Sequence, residues 1–504
     1  MADAETEARE PEVTSGLAAN SIGFVDAVSI GLNATSPAYS LAACLGPIVV
    51  LVGVAAPGVL LASFVPMLLI ASAFLFLNRV DPDCGTTFSW VTRAMGPWLG
   101  WMGGWAIAMT GVLVVGSLAD VGVRFTLLMF GQDQLASNDV FVMGLAVVLI
   151  LVMTWICVVG TELSGRIQTV FTLIQVVALL IFIGVAIYKA ASGQGLPGAV
   201  MPSIDWLNPF AQGTAALTAG LLLGVFAYWG WESAVNLNEE TTDSSSTPGR
   251  AALLSTVILL VTYVGTAIAV LMLVGPSFLS KSADEEEMVF ALIAREALGG
   301  FGWIVLLAVA MSAIASTQTT IIPASRTALS MARRTAIPAY FGQVSIKHRT
   351  PAVSTWWVAI IAIVWYVGVR FISENALFDS LTALSLLIAF YYSLTGFACA
   401  IYYRKMLTRS VKGFLLIGVG PVVGGILLVW LLVMSVISMS DPANSFGGVS
   451  WFGLGPPLVI GIFLFVLGAF FMVLMRLANT PFWKERPTVV DPALVPVSEG
   501  GTAP

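Results

Sequence analysis

Residues 214–250 of this chain read TAALTAGLLLGVFAYWGWESAVNLNEETTDSSSTPGR. The stretch is apolar enough to cross a bilayer, but Tyr228-Trp229-Gly230 interrupts it in the middle. A glycine between bulky aromatic residues lowers the helix propensity at that point. Glu232, two positions further on, would be costly against lipid. The stretch therefore predicts a helix that is broken near the middle of the membrane and faces protein or water.

A matching interruption occurs in the first apolar segment, residues 21–53. There the run Asn33-Ala34-Thr35-Ser36-Pro37-Ala38 places weak helix formers and a proline where the bilayer centre is expected. We expect the helices to end near Leu32 and Ala227, with residues 33–37 unwound, and to resume beyond each break. Paired interruptions in the two halves of a chain are typical of transporters built from inverted repeats.

The composition excludes a water-soluble globular protein. Of 504 residues, 58% are hydrophobic and 10% charged, and the mean hydropathy is +0.94. A span needs ~20 mostly apolar residues. On this basis the sequence predicts an all-α polytopic membrane protein with twelve transmembrane helices, near residues 21–53, 55–78, 98–124, 139–160, 165–188, 214–238, 250–275, 303–332, 351–372, 376–403, 411–438 and 450–476.

The distribution of basic residues predicts the orientation. If the N-terminus is cytoplasmic, only five of the 22 Lys and Arg residues fall on the outer side, as the positive-inside rule requires. Both termini are then cytoplasmic. Residues 1–20 are polar and acid-rich and lack the features of a signal peptide, so we expect a disordered tail, and we expect a second one over residues 479–504. The acidic run from Asp284 predicts a helix on the outer surface that continues to Ala294.

The two breaks together predict a ligand site. Two helix N-termini, with free N–H groups, and two helix C-termini, with free carbonyls, would meet there, which suits a ligand that carries both a carboxylate and an ammonium. An amino acid is the simplest such ligand. A proline kink filled by Ser and Thr side chains is the alternative for the first break. Phe226 and Trp229 are the candidates to cover the ligand. The predicted substrate-binding residues are Asn33, Ala34, Thr35, Ser36, Ala38, Phe226, Ala227, Tyr228, Trp229 and Gly230.

The sequence offers candidate residues for two kinds of coupling ion, sodium and the proton. Ser312 and Ser316 are four apart on one helix face and could bind sodium together with carbonyls near Val28 and Gly31. Serines that bond back to their own helix are the alternative. A proton would need a buried acid, for which Asp26 and Glu232 are candidates, along with Asp120, which has a simple partner in Arg124. Glu232 could equally be a structural acid at a helix N-terminus.

Several motifs resemble those of the amino acid–polyamine–organocation permeases. Residues 226–232, Phe-Ala-Tyr-Trp-Gly-Trp-Glu, followed by Asn-Glu-Glu at 238–240 and Pro-Gly-Arg-Ala at 248–251, resemble the sixth-span motif of that family. Residues 82–90 resemble the inner loop that leads into its third span. Residues 325–338 and 349–351 are similar to the end of its eighth span and the entry to its ninth.

The resemblance implies a LeuT-like five-plus-five inverted repeat with discontinuous first and sixth helices and alternating access to a central site. The repeats would be residues 21–190 and 214–403, joined by an outer loop at 191–213. Two extra helices would occupy residues 404–478. The resemblance also implies a bacterial plasma-membrane protein.

The sequence departs from that family's pattern at three places. Residues 33–38 contain no glycine, although many members carry a Gly-rich motif there that lets a substrate carboxylate approach the backbone. Gln175 aligns with the lysine that proton-coupled members often have in the fifth span, and glutamine cannot titrate. Thr110-Gly111 stands where relatives that take cationic substrates often have an acid and a tyrosine.

We therefore predict a secondary active transporter of amino acids. A polyamine or other organic-amine permease of the same fold, or an amino acid exchanger, is the alternative. An enzyme is not predicted, because the chain has one histidine, no Cys/His cluster and no phosphate-binding loop. We expect no cofactor, an unknown coupling ion (proton or sodium), a small-molecule substrate and a lipid bilayer as partners, no nucleic acid, and no obligate protein partner.

Overall fold

The computed structural model describes residues 16–281, 286–372, 374–445 and 448–490. Within these ranges the chain is helical, and the only extended pairings are two isolated β-bridges. The α-helices are α1 (Phe24–Thr35), α2 (Pro37–Val52), α3 (Ala56–Val80), α4 (Thr87–Met95), α5 (Pro97–Met129), α6 (Asp133–Ala136), α7 (Asp139–Val159), α8 (Thr161–Ala191), α9 (Gly213–Ala227), α10 (Thr247–Leu273), α11 (Gly275–Lys281), α12 (Glu286–Leu298), α13 (Trp303–Arg333), α14 (Ala352–Ile372), α15 (Glu374–Tyr402), α16 (Val411–Gly413), α17 (Gly420–Ser440) and α18 (Pro456–Leu477).

Shorter helices connect these elements. A π-helix, Phe414–Val419, joins α16 to α17. The 3-10 helices of the described ranges are Gly53–Ala55, Ile204–Leu207, Trp231–Glu240, Gly299–Phe301, Ala339–Gly342, Pro442–Asn444 and Pro481–Lys484. The predicted acidic helix corresponds to α12, which begins at Glu286; Asp284 and Glu285 lie outside the described residues.

Eleven stretches of the described chain are long and apolar enough to cross a membrane. The chain is therefore a multi-pass membrane protein. The first stretch, Phe24–Val80, contains α1, α2 and α3 and is 57 residues long, well beyond the ~20 that one crossing needs. The prediction of twelve transmembrane helices assigned two of them to this region. The number twelve remains a prediction.

The first break is shorter than predicted. α1 continues to Thr35, and only Ser36 leaves the helical conformation, with φ 57° and ψ 60°. Its N–H still donates to the Leu32 carbonyl at 3.0 Å, and Pro37 begins α2. A proline suits the first position of a helix because its missing N–H has no partner there in any case. The predicted unwound stretch at residues 33–37 is therefore wrong in extent, since a single left-handed residue makes the turn.

The second break lies where the sequence predicts it. α9 ends at Ala227, and a 3-10 helix, Trp231–Glu240, resumes after Gly230. Gly230 has φ 122°, a conformation that L-residues with a side chain rarely adopt. The segment after the break, a 3-10 helix, is therefore wound more tightly than an α-helix. Glu232 and most of the residues after it in this helix are buried.

Long helices surround both breaks. α5 and α13 pack closely along each other, and a Cβ added at Gly111 would lie 3.0 Å from the Ala324 Cβ. α1 packs against α8, α10 and α13. The breaks thus lie inside the bundle, where main-chain groups left free by a break can bind protein or a ligand instead of lipid.

The N-terminal segment closes one end of the bundle, which we call the basic face because Arg93, Arg333 and Arg334 lie there. The N–H of Ser21 donates to the Glu240 carbonyl at 2.9 Å. Within the predicted disordered tail, Leu17 is buried and the N–H of Ala18 donates to the Arg349 carbonyl at 3.2 Å. Residues 1–15 lie outside the described residues.

The segment 479–490 also packs on the basic face, contrary to the predicted disordered tail. Phe482 and Trp483 are buried, and the Phe482 ring stacks on Phe88 of α4 at 5.6 Å between centroids. The N–H of Val490 donates to the Tyr402 carbonyl at 3.0 Å. The composition of this segment is polar on average, but its two aromatic side chains make an apolar contact with the bundle. Residues 491–504 lie outside the described residues.

Candidate functional site

The two breaks touch each other at the centre of the bundle. A Cβ added at Gly230 would lie 2.5 Å from the Ala34 carbonyl oxygen and 2.9 Å from the Thr35 nitrogen. Real Cβ atoms do not approach oxygen this closely, and here the obstacle is backbone. Glycine is therefore required for this contact, both for space and for its positive φ.

Two small cavities lie on either side of this contact, and Ala34 and Trp229 line both. Each has about 10 Å³ of free space, which is room for about one water molecule. The first is also lined by Ile107, Thr110, Gly111, Gly230, Glu232, Ser233, Thr320, Pro323 and Tyr391. The second is also lined by Thr35, Ser36, Tyr39, Ser40, Val114, Leu118, Phe226 and Ser316. Neither cavity is large enough to hold an amino acid.

Trp229 is fixed by a buried hydrogen-bond network. Its indole N–H donates to the Tyr391 hydroxyl at 2.5 Å. The hydroxyls of Tyr391 and Tyr392 donate to the two carboxylate oxygens of Glu232. The backbone N–H groups of Gly230 and Glu232 interact with the same carboxylate. Glu232, predicted from the sequence as a coupling or gating residue, is thus the centre of a network that orients Trp229.

Other predicted substrate-binding residues either line a cavity or lie in the protein core. Phe226 is half-buried and lines the second cavity. Ala227 offers its carbonyl to the Tyr263 hydroxyl at 2.7 Å. Tyr228 turns away into the core, where its ring lies 4.9 Å from the Tyr263 ring. Ala38 is fully buried in the apolar core and lines neither cavity.

The predicted sodium ligands bind other groups in this structure. Ser312 Oγ lies 3.0 Å from Ser36 Oγ, and Ser316 Oγ donates to the Ala34 carbonyl at 3.2 Å. The Gly31 carbonyl accepts from Thr35, and the Val28 carbonyl accepts from Ser255. These oxygens therefore already have partners within the protein. Sodium binding at Ser312 and Ser316 stays a prediction.

Gln175 and Asp26 line neither of the small cavities. The Gln175 amide donates to the Asn33 side-chain oxygen, and Asn33 is fully buried. Asp26 is half-buried near the basic face, where the Thr169 hydroxyl donates to its carboxylate at 2.7 Å. The structure thus places Gln175 beside the first break and Asp26 well before it.

A larger cavity of about 310 Å³ opens towards the face opposite the basic face. Phe226 and Tyr39 line both this cavity and the second small one, so they separate the two spaces. The remaining lining residues come from α2, α9, α15, α17 and the turn after α17: Ala43, Cys44, Leu51, Ala219, Leu222, Leu223, Leu381, Thr382, Ser385, Ser438, Met439 and Asn444. The path from this face to the breaks is thus interrupted mainly by two aromatic side chains.

Comparison with known proteins identifies the family. The sequence model of the family described as "Amino acid permease" matches residues 14–470. The chain belongs to the amino acid permease family. Among its relatives, the permease is 26% identical to the human Asc-type amino acid transporter 1 over 429 residues, which is 82% of this chain and 73% of the relative.

Two further relatives agree with this assignment. The permease is 26% identical to the mouse large neutral amino acids transporter small subunit 2 over 41% of this chain and 38% of the relative. It is 26% identical to an uncharacterised transporter of Mycobacterium bovis over 66% of this chain and 70% of the relative. The family and these relatives are transporters, so the prediction that the chain is not an enzyme is confirmed.

A buried ion pair closes the basic face of the permease. Arg326 and Glu240 are 1% and 0% exposed, and both guanidinium–carboxylate contacts measure 3.1 Å. The Thr161 hydroxyl donates to the same carboxylate. The pair joins the 3-10 helix Trp231–Glu240 to α13 and α8.

Asp83, Cys84 and Glu239 form a second polar cluster on the basic face, and their potential ligand atoms lie within 4.8 Å of one another. Ser330 donates to Asp83 at 2.7 Å, and Arg333 pairs with Glu239 at 2.9 Å. Arginine thus supplies the positive charge that balances these acids. Burial raises the pKa of the Cys84 thiol well above its ordinary value, which opposes formation of a thiolate ligand.

Asp81 makes the stability of the permease depend on pH. Burial raises the pKa of its carboxyl to about 7, although Arg93, 2.9 Å away, acts in the opposite direction. Between the ordinary value of 3.8 and about 7, the folded protein holds a proton here that the unfolded chain has lost. Stability therefore falls as the pH rises through this window, by up to about 4 kcal/mol.

The Asp81→Asn variant is expected to remove this dependence. Its melting temperature in detergent should fall less than that of the native permease between about pH 5 and about pH 8. Asp133→Asn, at an exposed position, serves as the control and should behave like the native protein. Equal pH dependence in Asp81→Asn and the native permease would contradict the assignment.

Sequence reasoning missed Tyr391, Tyr392, Gln168 and Gln318. A signal was present for the tyrosines, because a buried acid such as Glu232 needs hydrogen-bond donors, and two adjacent tyrosines in a predicted span can supply them. Gln168 and Gln318 are uncharged polar residues within apolar helices, which marks them as inward-facing but does not identify their partners.

Proposed function

We propose that the permease is a secondary active transporter that moves amino acids across the plasma membrane by alternating access. The contact between the two breaks carries this proposal, because Gly230 and Ala34 bring two interrupted helices together between two small cavities. Interrupted helices that meet at the centre of a bundle are typical of transporters with inverted repeats. The family and relatives support amino acids as the general substrate class.

The electrostatics of the site favour an amino acid over a polyamine. Among the residues that line the two small cavities, Glu232 is the one acid, and both of its oxygens accept hydrogen bonds from tyrosines. A polyamine needs several acceptors for its ammonium groups and would leave charges unpaired here. We propose that main-chain groups near residues 33–36 and 226–230 bind the two polar ends of the amino acid, and that Phe226 and Trp229 close over it.

The unequal ends of the bundle support the proposal of alternating access. The opposite face holds a cavity of about 310 Å³ that reaches Phe226 and Tyr39. The basic face is closed by the Arg326–Glu240 pair and by the N-terminal segment. We propose that the described conformation is closed at the centre and receives substrate from the opposite face once Phe226 moves. The reverse half of the cycle separates the contacts at the basic face.

The topology proposed for this cycle has twelve crossings. Phe24–Val80 would cross twice, because at 57 residues it exceeds a single crossing and turns at Ser36 and near Gly53. Residues 21–190 and 214–403 would form the inverted repeats, followed by two extra helices. The positive-inside rule makes the basic face cytoplasmic, with both termini on that side. We retain a bacterial plasma membrane as the proposed location.

One of the relatives bears on whether the permease has a protein partner. The relative named as a small subunit is, by that name, part of an assembly. We propose that the permease binds and moves its substrate without an obligate protein partner. Activity of the purified chain in liposomes tests this proposal.

The proposed substrate class is tested by thermal stabilisation of the detergent-purified protein. Neutral, acidic and basic amino acids, diamines and small amines are added singly, each with sodium chloride and with choline chloride. A ligand that binds the folded state raises the melting temperature by mass action, which reveals weak substrates at high concentration. We expect a shift with amino acids. A shift with diamines alone would overturn the amino acid assignment in favour of an organic-amine permease.

A further inference from the structure

The turn that connects α15 to α17 carries a high density of positive charge. Residues 404–412 read Arg-Lys-Met-Leu-Thr-Arg-Ser-Val-Lys, so four of the 22 basic residues of the chain fall within nine positions, and no acid lies among them. The chain as a whole has a net charge of −6. We call residues 404–412 the basic turn. Its charge is opposite in sign to that of the protein as a whole.

The basic turn is folded, with its apolar residues inward and its basic residues outward. Met406 is buried, and its N–H donates to the Tyr403 carbonyl at 2.7 Å. Leu407 packs against the core, and a Cβ added at Gly418 of the π-helix would lie 3.1 Å from its Cδ2 atom. The four basic side chains are exposed: Arg404, Lys405, Arg409 and Lys412. The turn therefore fixes the backbone of the basic residues and leaves their charges in contact with the surroundings.

Arg79, near the end of α3, adds a fifth positive charge beside the basic turn. The Tyr403 hydroxyl donates to the Phe76 carbonyl at 2.6 Å, which joins the end of α15 to the end of α3. The Arg79 guanidinium lies 5.3 Å from the centre of the Phe76 ring, and the Arg79 side chain is exposed. The charges of two separate elements thus meet at one corner of the basic face.

These five residues differ from other arginines of the basic face because they have no counter-charge. Arg93, Arg333 and Arg334 each pair with an acid. Asp81, two positions after Arg79, pairs with Arg93 at 2.9 Å. Among the residues that the structure describes, no ion pair involves Arg79 or a residue of the basic turn. Their charges are therefore available to an anion from outside the protein.

The basic turn lies at the boundary of the membrane. It connects two stretches that are apolar enough to cross it, Asp379–Tyr402 and Val411–Ser440, with only residues 403–410 between them. Val411 and Phe414 are 76% and 49% exposed. A surface that changes from basic to apolar over a few residues matches the change from headgroups to acyl chains in a bilayer. A water-soluble anion would match only the basic part of this surface.

We propose that the basic turn, together with Arg79, binds the headgroup of an anionic phospholipid in the leaflet that meets the basic face. Arginine and lysine donate charge-assisted hydrogen bonds to phosphate oxygens, and arginine can do so through two N–H groups at once. Four or more basic residues directly beside a membrane-spanning helix are typical of surfaces that bind anionic lipids. The inference goes beyond the proposed function and does not depend on which substrate is transported.

A lipid at the basic turn holds one end of a helix that supports the candidate site. α15 ends at Tyr402, two positions before the turn begins. Tyr391 of the same helix accepts a hydrogen bond from Trp229 and donates one to Glu232. Anionic lipid is therefore expected to stabilise the helix that orients Trp229, even when no substrate is present.

The proposal is tested by titrating phosphatidylglycerol into the detergent-purified full chain and recording the melting temperature. Phosphatidylcholine and inorganic phosphate are titrated in parallel. A ligand that binds the folded state raises the melting temperature by mass action. We expect a clear rise with phosphatidylglycerol, a smaller one with phosphatidylcholine, and none with inorganic phosphate. Raising the salt concentration from about 0.1 M to about 0.5 M should weaken the response to phosphatidylglycerol, because salt screens exposed charges.

A charge-removing variant locates the response. It replaces the four basic residues of the turn by glutamine: Arg404→Gln, Lys405→Gln, Arg409→Gln and Lys412→Gln. Each basic residue near an anionic bilayer contributes about a fivefold factor in affinity, so the phosphatidylglycerol concentration that gives half the maximal shift should rise at least about a hundredfold. The matched control removes the same charge from exposed residues elsewhere in the chain: Lys347→Gln, Arg349→Gln, Lys484→Gln and Arg486→Gln. The control should keep the native half-point.

Three results would overturn the proposal. The control variant could lose the response as fully as the turn variant, which would show a dependence on net charge alone. Phosphatidylcholine could match phosphatidylglycerol, or inorganic phosphate could match it, which would exclude an anionic lipid as the ligand. If the turn variant does not fold, the single variants Arg404→Gln and Arg409→Gln are titrated instead; each should shift the half-point about fivefold, and no shift in either contradicts the proposal. No substrate is used, so failure here is distinct from failure of the proposed function.

Discussion

Gly230→Leu is expected to abolish amino acid uptake by the permease in liposomes. Even the first side-chain carbon would overlap the Ala34 carbonyl oxygen at 2.5 Å, and the φ of 122° disfavours any residue with a Cβ. The two breaks must then separate, which displaces Trp229 and the cavities on both sides of the contact. We expect a fall in uptake of at least about tenfold, since misplacing binding groups by about 1 Å can cost a hundredfold. Gly230→Ala should show a smaller loss in the same direction.

The matched control is Gly184→Leu in α8, where an added Cβ meets nothing within 4 Å. This variant should transport like the native permease. Size-exclusion profiles of both variants separate loss of the site from loss of the fold. If a well-folded Gly230→Leu protein shows native uptake, the substrate site does not lie at the breaks.

Glu240→Gln is expected to cause the largest loss of stability. The substitution leaves Arg326 charged in a site where it is 1% exposed. Removal of one partner of a buried ion pair typically costs about 3–5 kcal/mol, because the remaining charge keeps its desolvation penalty. The melting temperature of the detergent-purified protein measures the effect. The variant should also open the basic face, since the pair joins the 3-10 helix Trp231–Glu240 to α13.

Two comparisons make this result specific. Glu162→Gln breaks an exposed pair with Arg166 and should change the stability little. The double variant Glu240→Met with Arg326→Met removes both charges and should recover part of the lost stability, because apolar replacements of buried pairs are often tolerated. A Glu240→Gln protein as stable as the native permease would show that Arg326 has another counter-charge.

The sequence predicts the helix breaks well because their causes are local. Glycine at position 230 and proline at position 37 act on their own backbone, and the composition excludes a soluble fold. The extent of the first break depends on distant contacts instead. Ser36 meets Ser312 of α13, 276 positions away, and this contact cannot be read from the residues around position 36.

The polar contacts of the site were beyond sequence reasoning for a related reason. Glu232 could be recognised as a buried acid, but its partners Tyr391 and Tyr392 lie about 160 positions later. Gln175 could be aligned with a family position, yet its bond to Asn33 depends on how α1 and α8 pack. A single sequence marks inward-facing polar residues, whereas their pairing follows from the three-dimensional arrangement of helices.

The packing of residues 479–490 against α4 has a consequence for biosynthesis. Thr488 bonds to Arg93, 395 residues earlier in the chain. At roughly 5–20 residues per second, the ribosome needs roughly 20–80 s to make the intervening chain. During that time the surface of α4 that Phe482 later covers is exposed at the membrane boundary. Until Phe482 covers that surface, it is accessible to chaperones and proteases.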